Sequence, residues 1–187
     1  MARYYAAQGA VLGLAARRRA ALETLAAELG TTCLLYPLDV SDAAALQAAG
    51  EDFIVRAGVP DIVIANAGVS VGTLTEEADD LPAFRRVFDI NVLGMVQTFQ
   101  PFVAAMRAAQ RGRLVGIASV AGIRGLPGAG AYSASKAAAI AYLESLRVEL
   151  RDSGVKVVTL APGYIATPMP ANNPYPMPIL MPVDTAV

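Results

Sequence analysis

The sequence predicts an α/β fold in which helices cover a parallel β-sheet wound in both directions. Short apolar runs alternate along the chain with segments of helical periodicity, and each run is continuously apolar. Continuous runs are typical of strands covered on both faces, and their alternation with helices is typical of a doubly wound sheet. The chain of 187 residues has no internal repeat, so a single domain is expected over residues 1–187.

Five strands are predicted from the apolar runs: residues 10–15, 32–36, 61–65, 113–118 and 155–160. Helical patterns cover residues 17–29, which end at Gly30, a segment capped near Ser41, residues 81–110 and residues 132–152. The glycine-rich residues 122–130 predict a loop before the last of these helices.

Composition and charge exclude several classes of function. The net charge of −1 encodes no strong attraction to nucleic acid or anionic lipid, so neither partner is expected. The chain has no histidine, which excludes His-based triads and His-ligated metal sites, and no metal site is expected. The single Cys33 has no internal disulfide partner, which is typical of a reducing cytoplasm. No apolar run approaches the ~18 residues that span a bilayer.

Tyr132 and Lys136 stand four residues apart at the start of a predicted helix. Residues at this spacing lie on the same helix face, so the ammonium of Lys136 is expected beside the ring of Tyr132. A nearby positive charge lowers a tyrosine pKa from its usual value of about 10, which would make Tyr132 a general acid or base near neutral pH. By itself the pair also fits an exposed helical surface without function.

Other polar and turn residues directly follow predicted strands. Asn66-Ala67-Gly68 follow the third strand, Ser119 follows the fourth and Pro162-Gly163 follow the fifth. The carboxyl ends of parallel strands form one rim of the sheet, where doubly wound folds bind their ligands. We therefore expect these residues to lie together with Tyr132, although they are far apart in sequence.

With these residues in this order, the chain resembles the short-chain dehydrogenase/reductase family over nearly its whole length. The resemblance rests on the residues just named, on Lys136, and on Asp39, Asn91 and Thr167. It implies a Rossmann-like domain and an oxidoreductase that interconverts a carbonyl and an alcohol with a nicotinamide cofactor.

The resemblance also implies a role for each member of a catalytic set. Tyr132 is expected to exchange a proton with the carbonyl or alcohol oxygen, and Ser119 to hydrogen-bond the same oxygen. Lys136 is expected to lower the tyrosine pKa and to bind the nicotinamide ribose. Asn91 is expected to hold a water that links the lysine to solvent as a proton relay.

The cofactor-binding residues expected in this way lie along the same rim. They are Arg17, Arg18, Asp39, Val40, Asn66, Ala67, Gly68, Tyr132, Lys136, Pro162, Gly163, Ile165 and Thr167. In the family the Asp39 position contacts adenine. Asp39 would also serve as a helix cap, a task for which Ser41 is equally suited.

The end of the strand at residues 10–15 favours one cofactor. A domain that prefers NAD places a carboxylate there to bind the adenosine ribose. Here the strand runs into Arg17-Arg18-Arg19 without an acid, and guanidinium groups suit a phosphate. The sequence therefore favours NADP(H) over NAD(H). The alternative is a basic run that only covers an exposed helix start, where the helix dipole disfavours cations by ~0.3–1 kcal/mol.

The family pattern begins with a strand and a glycine-rich turn that holds the pyrophosphate, and this sequence shows neither. Residues 2–6 match the end of the helix that should follow that turn. We therefore expect a gap at the centre of the sheet, between residues 10–15 and 61–65, and a chain truncated at both ends.

Prolines and methionines are concentrated near the end of the chain, in residues 168–187. Proline removes a backbone donor, so neither a helix nor a central strand is expected between residues 168 and 182. The segment is expected to form either a lid over an apolar substrate pocket or an irregular terminal loop.

Two other functions remain open. A sugar-nucleotide epimerase or dehydratase shares the tyrosine and lysine but usually carries a larger carboxy-terminal domain. A catalytically silent binding or scaffold protein could use the same fold; the complete catalytic set opposes this, whereas the missing glycine-rich turn favours it.

The expected partners are a small, mostly apolar carbonyl or alcohol and further copies of the chain, in a homodimer or homotetramer. By resemblance the copies would meet through the helices at residues 81–110 and 132–152. Alanines on the second helix permit close helix approach but equally suit packing on the sheet: Ala137, Ala138, Ala139 and Ala141.

Overall fold

A computed structural model describes residues 1–166 and 179–186. Within them, in chain order, lie α1 (Ala2–Ala7), β1 (Leu12–Ala16), α2 (Arg19–Leu29), β2 (Cys33–Pro37), α3 (Ala43–Ala57), β3 (Ile62–Ala65), α4 (Leu81–Phe88), α5 (Gly94–Ala108), β4 (Gly112–Ile117), α6 (Gly130–Glu149), β5 (Val155–Leu160) and α7 (Val183–Ala186). Two 3₁₀ turns cover Ala78–Asp80 and Val120–Gly122, and a π-helical turn covers Asp89–Leu93. The predicted α/β class with parallel strands is confirmed.

The strands form two parallel sheets. β1 pairs with β2 in one sheet, and β4 lies between β3 and β5 in the other. In the part of the chain that the structure describes, no strand joins β1 to β3. The two sheets therefore separate where a gap is expected. That the gap marks the loss of a central first strand stays a prediction.

The segment at residues 81–110 was expected to be one helical region, and the structure divides it. α4 ends at Phe88, the π-helical turn follows, and α5 begins at Gly94 and ends at Ala108. A π-helical turn widens the backbone spiral and often occurs at functional sites. Here it carries Asn91, whose side chain is completely buried.

Three helices begin at other residues than the sequence predicts. α2 begins at Arg19, because Arg18 is extended and forms the N-cap. α3 is capped by Asp42, whose carboxylate accepts a hydrogen bond from the Ala45 N–H at 3.0 Å. α6 begins at Gly130, two residues earlier than predicted.

The main hydrophobic core surrounds the three-stranded sheet. α5 and α6 contribute its largest side chains, and a Cβ at Gly116 would lie 2.4 Å from a methyl carbon of Leu143. Glycine thus lets α6 approach β4 directly. The core residues are Val63, Ala65, Met95, Phe99, Met106, Leu114, Ala139, Leu143, Leu146, Leu150, Val155 and Val157.

Contacts between α3 and α5 join the two sheets. A Cβ at Gly50 would lie 2.4 Å from Cβ of Pro101, and the rings of Phe53 and Phe102 meet edge to face at 6.3 Å. Among the helices described, none has both the length and the apolar character needed to cross a membrane.

Candidate active site

The carboxyl ends of β3, β4 and β5 bring the predicted residues to one rim. The turn after β4 is tied to the chain after β5, because the Val120 N–H donates to the Pro162 carbonyl at 3.1 Å and the Ala118 N–H donates to the Leu160 carbonyl at 2.7 Å. Ser119 lies between these two anchors. The rim thus has a fixed backbone on either side of the serine.

Ser119 faces Tyr132, which lies in the first turn of α6. The serine hydroxyl accepts a hydrogen bond from the Ala121 N–H at 3.1 Å and also interacts with the phenol. Burial raises the pKa of Tyr132, and the hydrogen bond from Ser119 lowers it by a smaller amount. The sequence predicted a lowered pKa, so the structure differs in the direction of the shift.

Lys136 is almost completely buried, with 4% of its surface exposed. Its Nζ lies 5.7 Å from the centroid of the Tyr132 ring and donates to the Ile117 carbonyl at 2.7 Å. Burial lowers the pKa of Lys136 to about 8. The ammonium is beside the ring, as the spacing predicts, but the pKa of Tyr132 is raised by burial of the phenol and not lowered as predicted.

Gly122 brings the serine turn into contact with the backbone of α6. A Cβ at this position would lie 2.6 Å from the carbonyl carbon of Lys136 and 2.8 Å from the nitrogen of Ala137. Any other residue would push the turn away from the helix. The separation of Ser119 and Tyr132 therefore depends on this glycine.

Asn91 connects the chain after β3 to α6. Its Oδ1 accepts a hydrogen bond from the Val69 N–H at 2.8 Å, and its Nδ2 donates to the Val69 carbonyl and to the Ser135 hydroxyl, both at 3.0 Å. Ser135 in turn donates to the Tyr132 carbonyl at 2.7 Å. Both amide N–H groups of Asn91 are occupied, so a water relay would use its backbone carbonyl or the spare lone pair of Oδ1.

The residues after β3 lie beside this group. Asn66 and Ala67 are exposed, whereas Gly68 is half-buried. A Cβ at Gly68 would lie 3.3 Å from Oδ1 of Asn91 and 3.5 Å from Nζ of Lys136. Glycine keeps the space next to the buried ammonium free of a side chain.

The predicted adenosine contacts lie on the other sheet. A guanidinium nitrogen of Arg17 is 3.9 Å from the Asp39 carboxylate, and Arg18 is exposed. Hydrogen bonds from the N–H and hydroxyl of Ser41 are the main cause of a lowered Asp39 pKa, with smaller contributions from Arg17 and Arg86. Thus Asp39 organises the turn before α3, while Asp42 caps the helix.

The remaining predicted contacts border β5 and the π-helical turn. Val40 packs against the start of α5, where a Cβ at Gly94 would lie 2.8 Å from Cγ2 of Val40. Gly163 is exposed, with open space where a Cβ would be. Ile165 forms an isolated parallel bridge with Met181. Thr167 and residues 168–178 of the predicted lid lie outside the described residues.

Three participants were missed in the sequence. Ser135 lies between the two predicted catalytic residues of the helix, and its position three residues after Tyr132 was a usable signal. The backbone of Val69 and the close approach at Gly122 left no signal, because both depend on contacts between distant segments. Residues 1–166 and 179–186 contain no group of three or more metal-ligating side chains.

A parallel α/β fold with a serine, a buried lysine and a tyrosine on one rim is the arrangement of a nucleotide-dependent dehydrogenase. The chain belongs to the short-chain dehydrogenase family, whose sequence model matches residues 1–176. The family consists of dehydrogenases, and a relative of this chain is named as an oxidoreductase, so the chain is of an enzyme family. The resemblance noted in the sequence is thereby confirmed.

Three relatives illustrate the match. An uncharacterised oxidoreductase of Myxococcus xanthus is 39% identical, with 100% of this chain and 75% of that protein aligned. The NAD⁺-dependent 2-dehydro-3-deoxy-L-rhamnonate dehydrogenase of a Sphingomonas species is 38% identical, with 87% of this chain and 65% of that protein aligned. An alcohol dehydrogenase of Thermococcus sibiricus, solved with 5-hydroxy-NADP, superimposes with a TM-score of 0.82 at 30% identity.

That superposition covers 89% of this chain and 71% of the Thermococcus protein. The chain thus spans 65% to 75% of the length of these three proteins.

Proposed function

We propose that the protein is an oxidoreductase that interconverts a carbonyl and an alcohol, uses NADP(H) in preference to NAD(H), and employs Tyr132 as its general acid or base. The observation that carries the proposal is a phenol that faces the Ser119 hydroxyl, with the buried ammonium of Lys136 5.7 Å from its ring centroid. A solvated surface pair would not require a lysine with 4% exposure.

The residues present fit a nicotinamide dinucleotide at its two ends. At the reactive end, the ammonium of Lys136 has three N–H donors and uses one of them, on the Ile117 carbonyl. Its other donors can bind ribose hydroxyls. Gly68 and Gly163 leave the space beside the rim free of side chains. At the other end, the guanidinium of Arg17 lies 3.9 Å from the Asp39 carboxylate and is 59% exposed, so a phosphate can reach it from solvent. When bound, the cofactor supplies or accepts the hydride.

The protein's own contribution is a proton and a polar contact. In reduction, the Tyr132 hydroxyl donates its proton to the carbonyl oxygen while the Ser119 hydroxyl hydrogen-bonds the same atom. The raised pKa of Tyr132 keeps the phenol protonated near neutral pH, which suits the reductive direction. Lys136, with a pKa of about 8, is available beside the tyrosine to assist its reprotonation.

The preference for NADP(H) is supported by Arg17, which follows β1 where an NAD-type domain would place a carboxylate. The relatives include both an enzyme named for NAD⁺ and a structure with an NADP derivative bound. Cofactor preference therefore has to be measured for this chain, with NADPH and NADH titrated side by side.

An apolar substrate is supported by the loops next to Tyr132. Exposed apolar side chains occur on the loop after β3, at Val71 and Leu74, and on the loop before α6, at Ile123 and Leu126. The Thr73 N–H donates to the Gly128 carbonyl at 2.9 Å, which joins the two loops. A small ketone or secondary alcohol with an apolar substituent fits such surroundings.

A homodimer or homotetramer and a cytoplasmic location complete the proposal. Ala139 packs into the core, whereas Ala137 and Ala141 are exposed on α6, so the helix retains a face of small side chains for a second copy. The single cysteine supports a reducing compartment.

The decisive experiment is Tyr132→Phe, assayed with NADPH and a panel of apolar ketones such as cyclohexanone and acetophenone. Loss of the general acid should lower kcat by roughly 10²- to 10⁴-fold. Binding of NADPH, followed by nicotinamide fluorescence, should persist. Tyr142→Phe is the control, because Tyr142 is a half-buried tyrosine of the same helix.

Two outcomes would contradict the proposal. Full activity of Tyr132→Phe would remove the tyrosine from the mechanism. Absence of NADPH and NADH binding in the unaltered protein would favour the alternative of a catalytically silent binding protein with this fold.

A further inference from the structure

The helix that carries Tyr132 and Lys136 has no capping side chain of its own at its start. The N-cap of α6 is Ala129, which makes no side-chain hydrogen bond, and the first two helical residues are Gly130 and Ala131. The first N–H groups of a helix lack intrahelical acceptors and need partners from elsewhere. Ala131 is completely buried, so water does not readily replace such a partner.

A residue 58 positions earlier in the chain supplies this acceptor. Oγ1 of Thr73 accepts a hydrogen bond from the Ala131 N–H at 3.2 Å. Thr73 is 8% exposed, and its own N–H donates to the Gly128 carbonyl at 2.9 Å. The threonine is thus fixed to the chain on both sides of the helix start.

The position of Thr73 in the chain gives this contact a second consequence. Thr73 lies five residues after Gly68 and four after Val69. Gly68 lies beside the ammonium of Lys136, and the backbone of Val69 is hydrogen-bonded to the Asn91 side chain. The segment from β3 to Thr73 therefore contacts α6 at two places: at its start, through Thr73 and Ala131, and about one turn later, where Gly68 lies beside Lys136. Movement of this loop would move the catalytic helix with it.

From these contacts we propose that Thr73 is a positioning residue that caps the catalytic helix across the site and sets the place of the Tyr132 hydroxyl relative to Ser119. Its effect on turnover rests on the proposed function, whereas its effect on the helix start does not. A side-chain acceptor at a helix start stabilises the first turn of that helix. A displacement of about 1 Å at the reacting groups can lower a rate by roughly 10²-fold.

The test compares Thr73→Val, which keeps the shape and removes the hydroxyl, with Thr73→Ser, which keeps the hydroxyl. Thr98→Val is the control, because Thr98 is a half-buried threonine whose hydroxyl bonds to Gly94 within α5. Three quantities are measured on the 187-residue chain. They are amide hydrogen exchange at Ala131, the ultraviolet titration of the Tyr132 phenol taken as the difference from Tyr132→Phe, and kcat and KM for cyclohexanone with NADPH.

In Thr73→Val, the Ala131 amide should exchange its hydrogen roughly tenfold faster, and the midpoint of the Tyr132 titration should shift. The variant should also have a kcat roughly 10- to 100-fold lower, with a smaller change in KM. Thr73→Ser should restore all three, and Thr98→Val should leave them unchanged. If unaltered protein reduces none of the ketones, the proposed function fails, while exchange and titration still decide the role of Thr73.

Unchanged exchange at Ala131 in Thr73→Val would overturn the proposal, as would a loss that Thr73→Ser fails to restore. An equal loss in Thr98→Val would also overturn it. If Thr73→Val does not fold, the same measurements are made on Thr73→Ser and Thr73→Ala. The first variant keeps the hydroxyl and the second removes it, so their difference decides the role of the hydroxyl.

Discussion

The two sheets of the protein are built from similar parallel strands but bury different amounts of side chain. The three-stranded sheet lies against α5 and α6, and its cluster includes the fully buried Phe99, Met106 and Leu143. The two-stranded sheet and its helices bury only Leu22, Leu34 and Leu46 among the described hydrophobic residues from 1 to 50. One sheet therefore has a close-packed interior, and the other has a thin one.

The polar residues of the proposed function divide in the same way. Ser119, Lys136 and Asn91 are at least 90% buried and belong to the packed side. Arg17 and Asp39, on the thin side, form a pair whose side chains are 59% and 38% exposed. The groups proposed to act in catalysis thus lie beside the close-packed sheet. The groups proposed to select the cofactor lie on the surface of the other sheet.

The largest expected effect compares two buried leucines. Leu143→Ala should lower the free energy of unfolding by about 3–5 kcal/mol, because Leu143 is completely buried against Gly116. Leu34→Ala on β2 should cost about 2–3 kcal/mol, because its thinner surroundings relax more easily. Urea denaturation followed by circular dichroism measures both, and equal losses would show that the two sheets are equally well packed.

The second prediction concerns the contact between the serine turn and α6. Gly122→Ala places a Cβ within 2.8 Å of the helix backbone, so the turn must move and kcat should fall by roughly 10²-fold. Gly125→Ala is a matched control, since a Cβ there meets nothing within 4 Å. Steady-state kinetics with NADPH and cyclohexanone would show the contrast; similar rates for both variants would remove Gly122 from the positioning of Ser119.

A pH-dependent effect is expected at Lys136. Its folded-state pKa of about 8 lies below the ordinary value of 10.5, so the unfolded chain binds the proton more tightly. The destabilisation is therefore complete below about pH 8 and is relieved as the pH rises towards 10.5. Lys136→Met should stabilise the fold at pH 7 by about 2 kcal/mol, and the gain should shrink by pH 10.

Urea titrations at the two pH values check this change in stability. Lys156→Met provides the comparison, because Lys156 is exposed on β5 and its replacement relieves no burial. A gain for Lys136→Met that does not depend on pH would contradict the burial of a titrating ammonium.

The smallest expected effect is on the thin side. Arg17→Ala should weaken NADPH binding roughly tenfold, about 1.4 kcal/mol, and change NADH binding little, because only the former carries the 2′-phosphate. Arg19→Ala is the control, since Arg19 is exposed and pairs with Glu23 on α2. Fluorescence titration distinguishes the cofactors, and equal losses for both would exclude Arg17 from the phosphate site.

Much of the fold was predictable because the strands are continuously apolar and the helices are periodic. All five strands were located to within a few residues, and the residues that follow them were predicted to lie together at one rim of the sheet. The boundaries of α4, α5 and α6 were less predictable. A π-helical turn and an N-terminus capped by a distant threonine have no local pattern in the sequence.

The sequence by itself determined the fold class, the family and the identity of the residues at the rim, because these depend on local periodicity and on residue type. Only the tertiary structure decided their electrostatics: Tyr132 has a raised pKa and Lys136 a lowered one because both are buried by segments distant in the chain. It also decided which residues support them, namely Ser135, Gly122 and Thr73. Burial and close approach are properties of the packed chain, and no spacing along a sequence specifies them.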